Sequence, residues 1–274
     1  MRKLWGVLAL SLLAGCVPGQ SSPGPPESAL GFAAQPGAGR TFIQRDPVGE
    51  IERLFQPGPD RKGVALVDTG RTLIGVGVRE FPGESRSEPI AWVSGGGEIV
   101  LPQDRPGYWS PIAIAADGDQ VLVVGALGGG VRVWASGDAG ATWMVSQVEV
   151  RASDMWFSTV LRAEGKWLLA GASAAGALVV TGAPGAWETS SIGDGRILGG
   201  ATDKAGKAVL FGDRVEWNQG KTSNRSCSLV WVPGGGGWQR GELGCPVEQI
   251  KTAETQEDGR VVLASSRDLW VRPS

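Results

Sequence analysis

The sequence predicts an all-β fold: a β-propeller of about five four-stranded blades, closed by an N-terminal strand. Three observations carry this. Short apolar runs recur at steps of about 40–50 residues, the length of one four-stranded blade. They lie at 90–93, 131–134, 177–180, 229–232 and 268–271, and place Trp92, Trp134, Val180, Trp231 and Trp270 at matching positions. The first four runs each open into a Gly-rich turn, at 94–97, 136–143, 181–187 and 233–238, and three of these turns reach a tryptophan. The composition agrees, with Gly 44 and Trp 12. Glycine serves tight turns, and large rings wedge between sheet layers.

From the N-terminus, Arg2 and Lys3 precede an apolar run from Leu4 to Ala14, too short to span a bilayer, which ends Leu13-Ala14-Gly15-Cys16. This resembles a bacterial lipobox. It implies a signal peptide at 1–15, acylation of Cys16, and a domain anchored by lipid on the extracytoplasmic side of the membrane. Residues 20–40 are rich in Pro, Gly, Ser and Ala, so 16–40 is expected to be the acylated cysteine plus a flexible linker. The propeller then occupies 41–274. Its last unit lacks a fourth strand, and Thr41-Phe42-Ile43-Gln44 is the candidate that completes it and covers an open edge. Two alternatives stand beside the five-blade count: a sixth blade using residues 50–55, or a partial propeller completed by a partner.

Individual strands are readable in the middle of the chain: 110–116, 120–125, 131–135 and 142–150, then 157–163, 167–170, 178–181 and 186–190. Apolar runs are continuous rather than alternating, as expected of strands buried on both faces between stacked blades.

The turn in the second unit reads Ser136-Gly137-Asp138-Ala139-Gly140-Ala141-Thr142-Trp143. This S-x-D-x-G-x-T-W string resembles the Asp-box of BNR/sialidase-type β-propellers at every defining position. The turns at 181–187 and 233–238 keep a glycine and a tryptophan without the aspartate, and look like decayed copies. In the box, Gly140 supplies the backbone angle and Asp138 accepts hydrogen bonds from its own turn. Thr142 starts the next strand, and Trp143 packs toward the neighbouring blade. The resemblance implies a structural role for Ser136, Asp138, Gly140, Thr142 and Trp143. The other reading makes Asp138 an acid or metal ligand, but a lone carboxylate in a glycine turn is a poor cation site.

Cys227 and Cys245 remain once Cys16 is assigned to lipid, and an extracytoplasmic domain pairs such cysteines. The alternative is two buried thiols. No histidine exists to build a zinc site with them, nor to complete a Ser-His-Asp or Cys-His arrangement. No metal or cofactor is implied. Net charge is −2 with no basic block, which excludes a nucleic-acid footprint.

Sialidases share the implied fold, but their F/Y-R-I-P arginine motif is missing. The sole tyrosine, Tyr108, lies earlier than that family's nucleophile. Asp104, Glu149, Asp154 and Glu164 are the carboxylates that another glycosidase arrangement would pair. The box turns occupy one face of the ring. Candidate ligand contacts lie on the other, on inter-blade and second-to-third-strand loops: Asp104, Arg105, Tyr108, Trp109, Arg151, Asp154, Trp156 and Arg225. Asn218, Lys221 and Asn224 accompany them. Trp109 and Trp156 have an alternative use in inter-blade packing, since each directly precedes a first strand. The expected function is binding or scaffolding of an envelope protein or cell-wall glycan. The rivals are a glycoside hydrolase, sialidase-like or degenerate, and an assembly factor for a membrane protein complex.

Overall fold

The computed structural model describes residues 29–35, 46–105, 107–127, 130–150, 154–216, 225–245 and 249–272. Within them the chain forms a short 3-10 turn, Ala29–Gly31, then β1 (Ala33–Gln35) and α1 (Pro47–Phe55). The first blade follows: β2 (Arg61–Asp68), β3 (Leu73–Glu80), β4 (Ser87–Val93) and β5 (Gly97–Val100). The second is β6 (Trp109–Asp117), β7 (Gln120–Leu127), β8 (Gly130–Ser136) and β9 (Met144–Gln147). The third is β10 (Trp156–Ala163), β11 (Lys166–Ser173), β12 (Gly176–Ala183) and β13 (Ala186–Ser191). The fourth is β14 (Arg196–Thr202), β15 (Ala208–Glu216), β16 (Arg225–Gly234) and β17 (Gly237–Gly244). The fifth is β18 (Thr252–Thr255), β19 (Val261–Ala264) and β20 (Leu269–Arg272), with β1 as its outer strand. All five are four-stranded antiparallel sheets, so this is a five-bladed β-propeller.

The N-terminal strand that completes the fifth blade lies earlier than expected. Ala33, Ala34 and Gln35 pair with Val271, Trp270 and Leu269. Residues 41–44, the predicted closing strand, lie outside the described residues, as do the signal peptide and Cys16. Part of the predicted linker is therefore structured. Phe32 is the anchor: it is buried in the core between the fourth and fifth blades and fixes β1 beside β20. Residues 50–55 belong to α1 and add no blade. Asp46 caps α1, accepting from the Val48 and Gly49 amides at 3.1 Å each, and Pro47 opens the helix. Ile51 of α1 is fully buried and packs with Phe55 against Ile90 and Trp92 of the first blade.

Each blade junction is an apolar layer supplied by both neighbours. Leu122, Val124 and Val133 of the second blade meet Phe157, Leu169 and Val180 of the third. Val121 and Val123, on the opposite side of the same strand, join the layers shared with the first blade. Burial on both faces explains the unbroken apolar runs. The inner strands β2, β6, β10, β14 and β18 pack in succession. Against the far side of β2 lies α1.

One device repeats in four blades. The inner strand bulges once, skipping Val64, Ile112, Ser158 and Leu198 in its pairing with the second strand. Just before each bulge it pairs with a glycine: Gly63 with Gly77, Pro111 with Gly125, Phe157 with Gly171, Ile197 with Gly212. A Cβ on those second-strand glycines would stand 2.1, 2.7, 1.9 and 1.9 Å from the inner-strand carbonyl oxygens of Lys62, Ser110, Trp156 and Arg196. The bulge brings the two backbones too close for any side chain.

Candidate functional site

The two ends of the ring differ. The inner strands all start at one end, here the loop face. The box and the other third-to-fourth-strand turns lie at the opposite end, the turn face.

On the turn face, Asp138 organises the box. Its Oδ1 accepts from the Thr142 amide at 2.8 Å and from the Ser136 hydroxyl at 2.8 Å, and its Oδ2 accepts from the Thr142 hydroxyl at 2.6 Å. Ser136 Oγ accepts from the Gly140 amide at 2.9 Å. The Thr142 hydroxyl, the Thr142 amide and then Ser136 hold the Asp138 carboxyl down at a pKa of about 2. The charge is thus committed to its own turn. The turn in turn reaches the neighbours. Ala139 donates to the Asp119 carbonyl at 2.9 Å, and the Thr72 hydroxyl of the first blade donates to the Ala139 carbonyl at 3.4 Å. Gly140, at φ 88°, lets the chain lie against Ile74, where a Cβ would meet Cδ1 at 2.8 Å. Trp143 donates to the Gly140 carbonyl at 2.9 Å and packs with Ile74, Val93 and Val121. The box is a strap across the first junction.

On the loop face, the predicted ligand residues separate into two groups. Trp109 is fully buried. It stands edge-on to Trp134 at 5.5 Å and donates to the Arg105 carbonyl at 3.1 Å, so it is a packing residue and not a ligand contact. Asp104 accepts from Arg132 Nε at 2.8 Å. Arg132 is itself only 3% exposed and lies over Trp109, with Cζ 5.8 Å from the ring. The sequence reading missed Arg132, the one charge inside an apolar run, and its presence turns Asp104 into a structural counter-ion. The second group faces solvent: Tyr108 at 56% exposure and Trp156 at 38%, with Arg105 and Asp154 also exposed. Tyr108 directly precedes β6 and Trp156 opens β10, so both stand at the loop-face mouth on adjacent inner strands. Arg61 and Arg196 occupy the matching starts of β2 and β14. Arg196 clamps the buried Asp213, with Nη2 to Oδ2 at 2.9 Å, and Gln249 Nε2 donates to the same oxygen at 2.9 Å. This pairing raises the Arg196 pKa. Arg151 and residues 218, 221 and 224 lie outside the described residues, and Arg225 contributes its backbone to the start of β16.

Of the four carboxylates that glycosidase chemistry would pair, Glu164 stands at the opposite end of the ring from the other three. Glu164 lines a turn-face cleft, Glu149 lines a hollow between β9 and β13, and Asp104 is paired with Arg132. Asp154 precedes β10 on the loop face.

Cys227 and Cys245 form a disulfide that ties β16 to the end of β17. Glu242 lies with them inside 4.8 Å, but the sulfurs are spent on each other, which leaves one carboxylate for any cation.

No family model matches the chain, and no curated protein matches it. Solved structures do. A structure described as "Structure of Dos1 propeller" aligns with 8% identity and a TM-score of 0.45, over 77% of this chain and 53% of that one. One described as "YCF48 bound to D1 peptide" aligns with 10% identity and a TM-score of 0.39, over 78% of this chain and 94% of that one. "YCF48 from Cyanidioschyzon merolae" aligns with 12% identity and a TM-score of 0.34, over 79% and 97%. The chain thus spans about half the length of the Dos1 propeller chain and nearly all of the two YCF48 chains. At these scores the likenesses carry no functional argument, and the site must be read from its own residues.

Proposed function

We propose that this protein is a lipid-anchored, extracytoplasmic binding or scaffold module whose partner is an envelope protein, engaged through the loop face. The carrying observation is the pair of exposed rings, Tyr108 and Trp156, at the mouth of adjacent inner strands, with Arg105 and Asp154 beside them in sequence. Exposed aromatics with a polar surround, held on a rigid frame, are the usual anchors of protein recognition. The strand ladders and double-sided apolar layers supply that frame. The lipobox-like Leu13-Ala14-Gly15-Cys16 supports the anchor, and 16–28 would then tether the domain to the bilayer. Among the described residues no helix is long and apolar enough to cross a membrane.

The test is cross-linking pull-down from intact envelopes with wild type and the double variant Tyr108→Ala/Trp156→Ala. A discrete envelope protein should be recovered with wild type and lost with the variant. Recovery of the same protein by both, or no protein together with glycan-array binding, would overturn the reading.

A further inference from the structure

The turn face carries a site that the loop-face reading does not use. Counting back an equal distance from Gly77, Gly125, Gly171 and Gly212 reaches Thr72, Gln120, Lys166 and Lys207, the residues that enter the second strands. Between the first and second blades Thr72 stands at the junction, and the slot is filled by polypeptide: the box turn lies across it, with the Thr72 hydroxyl on the Ala139 carbonyl and Gly140 against Ile74.

In the fourth blade the corresponding turn has shrunk to a tight hairpin. Gly234 pairs with Gly237, so the turn itself is Gly235–Gly236, at φ 59° and 85°. So short a turn does not reach across the junction. What remains between the third and fourth blades is a cleft of about 520 Å³, within the usual range of ligand pockets. Lys166 and Lys207 stand on its walls, and Leu168, the counterpart of Ile74, lies with Ala208 and Trp238 along it. Among the described residues neither lysine side chain makes an ion pair or hydrogen bond, and Glu164 is the one acidic group in the lining. A Cβ at Gly236 or Gly237 would meet nothing within 4 Å, so the lip of the cleft is open. The hairpin at Pro184–Gly185 leaves a similar cleft of about 440 Å³ between the second and third blades. Lys166 also borders that cleft, but its other cation, Arg162, is already spent on Asp117 and on the ring of Trp167, and Glu188 adds an acidic group to the lining.

The geometry points to the cleft between the third and fourth blades as a docking site for a short polypeptide segment of a partner, bearing a carboxylate beside small or apolar residues. The equivalent slot in this molecule holds a polypeptide turn of small and apolar residues, whose own carboxylate is bound within the turn. The two lysines on its walls add a demand for negative charge at the cleft between the third and fourth blades, and Leu168 and Trp238 accept the apolar part.

The probe is a synthetic peptide of the box sequence, Ser-Gly-Asp-Ala-Gly-Ala-Thr-Trp, acetylated and amidated at its ends so that the Asp side chain is its sole carboxylate, with its Asp→Asn counterpart. Each is titrated into the isotope-labelled full-length chain in detergent and followed by NMR. The acidic peptide should shift the amides of Lys166, Lys207 and Gly234–Gly237. The Asn peptide and the Lys166→Gln/Lys207→Gln variant should each weaken binding at least about tenfold, which is about 1.4 kcal/mol. The Asn peptide keeps the test sharp without altering the protein. Tyr108→Ala/Trp156→Ala should leave the peptide affinity unchanged, which separates this site from the loop-face reading. Equal binding of both peptides, or no shifts at those amides at millimolar peptide, would overturn the proposal. So would chitotetraose shifting the same amides as strongly.

Discussion

Gly171→Ala tests the bulge–glycine device that shapes four of the five blades. The new Cβ would stand 1.9 Å from the Trp156 carbonyl oxygen and 2.7 Å from Phe157 Cα. Carbon–oxygen contacts settle at about 3.3–3.6 Å, so β10 and β11 must part by more than ~1 Å at that point. Both atoms belong to backbone inside a sheet, where no side chain can swing aside. A displacement of that size costs at least one ladder hydrogen bond, about 0.5–1.5 kcal/mol net, on top of about 1–3 kcal/mol for overpacking. The expected loss is about 2–4 kcal/mol, or a fall in Tm of ~5–15 °C for a domain of this size. Gly137→Ala is the control, because a Cβ there meets nothing within 4 Å and the residue is not at positive φ. It should be neutral, or slightly stabilising through the unfolded state. Differential scanning calorimetry of the two variants beside wild type decides the matter. If Gly171→Ala melts with Gly137→Ala, the close approach is not what holds the blade in shape.

Asp138→Ala should lower Tm at neutral pH by opening the strap between the first two blades. The Asp138 carboxyl sits at about 2 when folded, below the ordinary carboxylate value of about 3.9, so its stabilisation is complete above ~4 and is lost as pH falls through about 2. The Tm gap between variant and wild type should therefore close across that window, and a gap constant from pH 7 to 2 would refute the role. Replacing Cys227 and Cys245 together by serine should cost roughly 3 kcal/mol, since the pair closes a loop with a sequence separation of 18, and wild type in reductant should match it in chemical denaturation. Cys16→Ala should move the protein from the membrane fraction to the soluble fraction of fractionated cells; unchanged membrane association would end the acylation proposal.

The blade repeat was legible because burial on both faces writes itself as unbroken apolar runs, with Trp92, Trp134, Trp231 and Trp270 marking the same strand of different blades. The box was legible because its side chains serve the turn they sit in. The closing strand was not, since Ala33–Gln35 carries no apolar alternation and its anchor, Phe32, lies just outside it. Asp46-Pro47 followed by Ile51 and Phe55 carries the signals of a capped helix with two apolar residues on one face, but residues 50–55 alone are short enough to read equally as part of a sixth blade. Gly77, Gly125, Gly171 and Gly212 form a repeat as regular as the tryptophans, hidden among the many turn glycines. The pairing of Lys166 with Lys207 needed strand register, which no single segment contains. Trp109 was ambiguous by position, and only its contact with Trp134 separates packing from recognition.

The central claim is recognition of an envelope protein through the loop-face mouth. The most direct measurement is photo-cross-linking in intact cells with a photoreactive amino acid placed singly at Tyr108, Trp156 and, as a far-side reference, Met144, which is 74% exposed on an outer strand. A discrete adduct of one envelope protein at positions 108 and 156, without that adduct at 144, is the expected result. No adduct at 108 and 156, or the same adduct at all three positions, would contradict the claim.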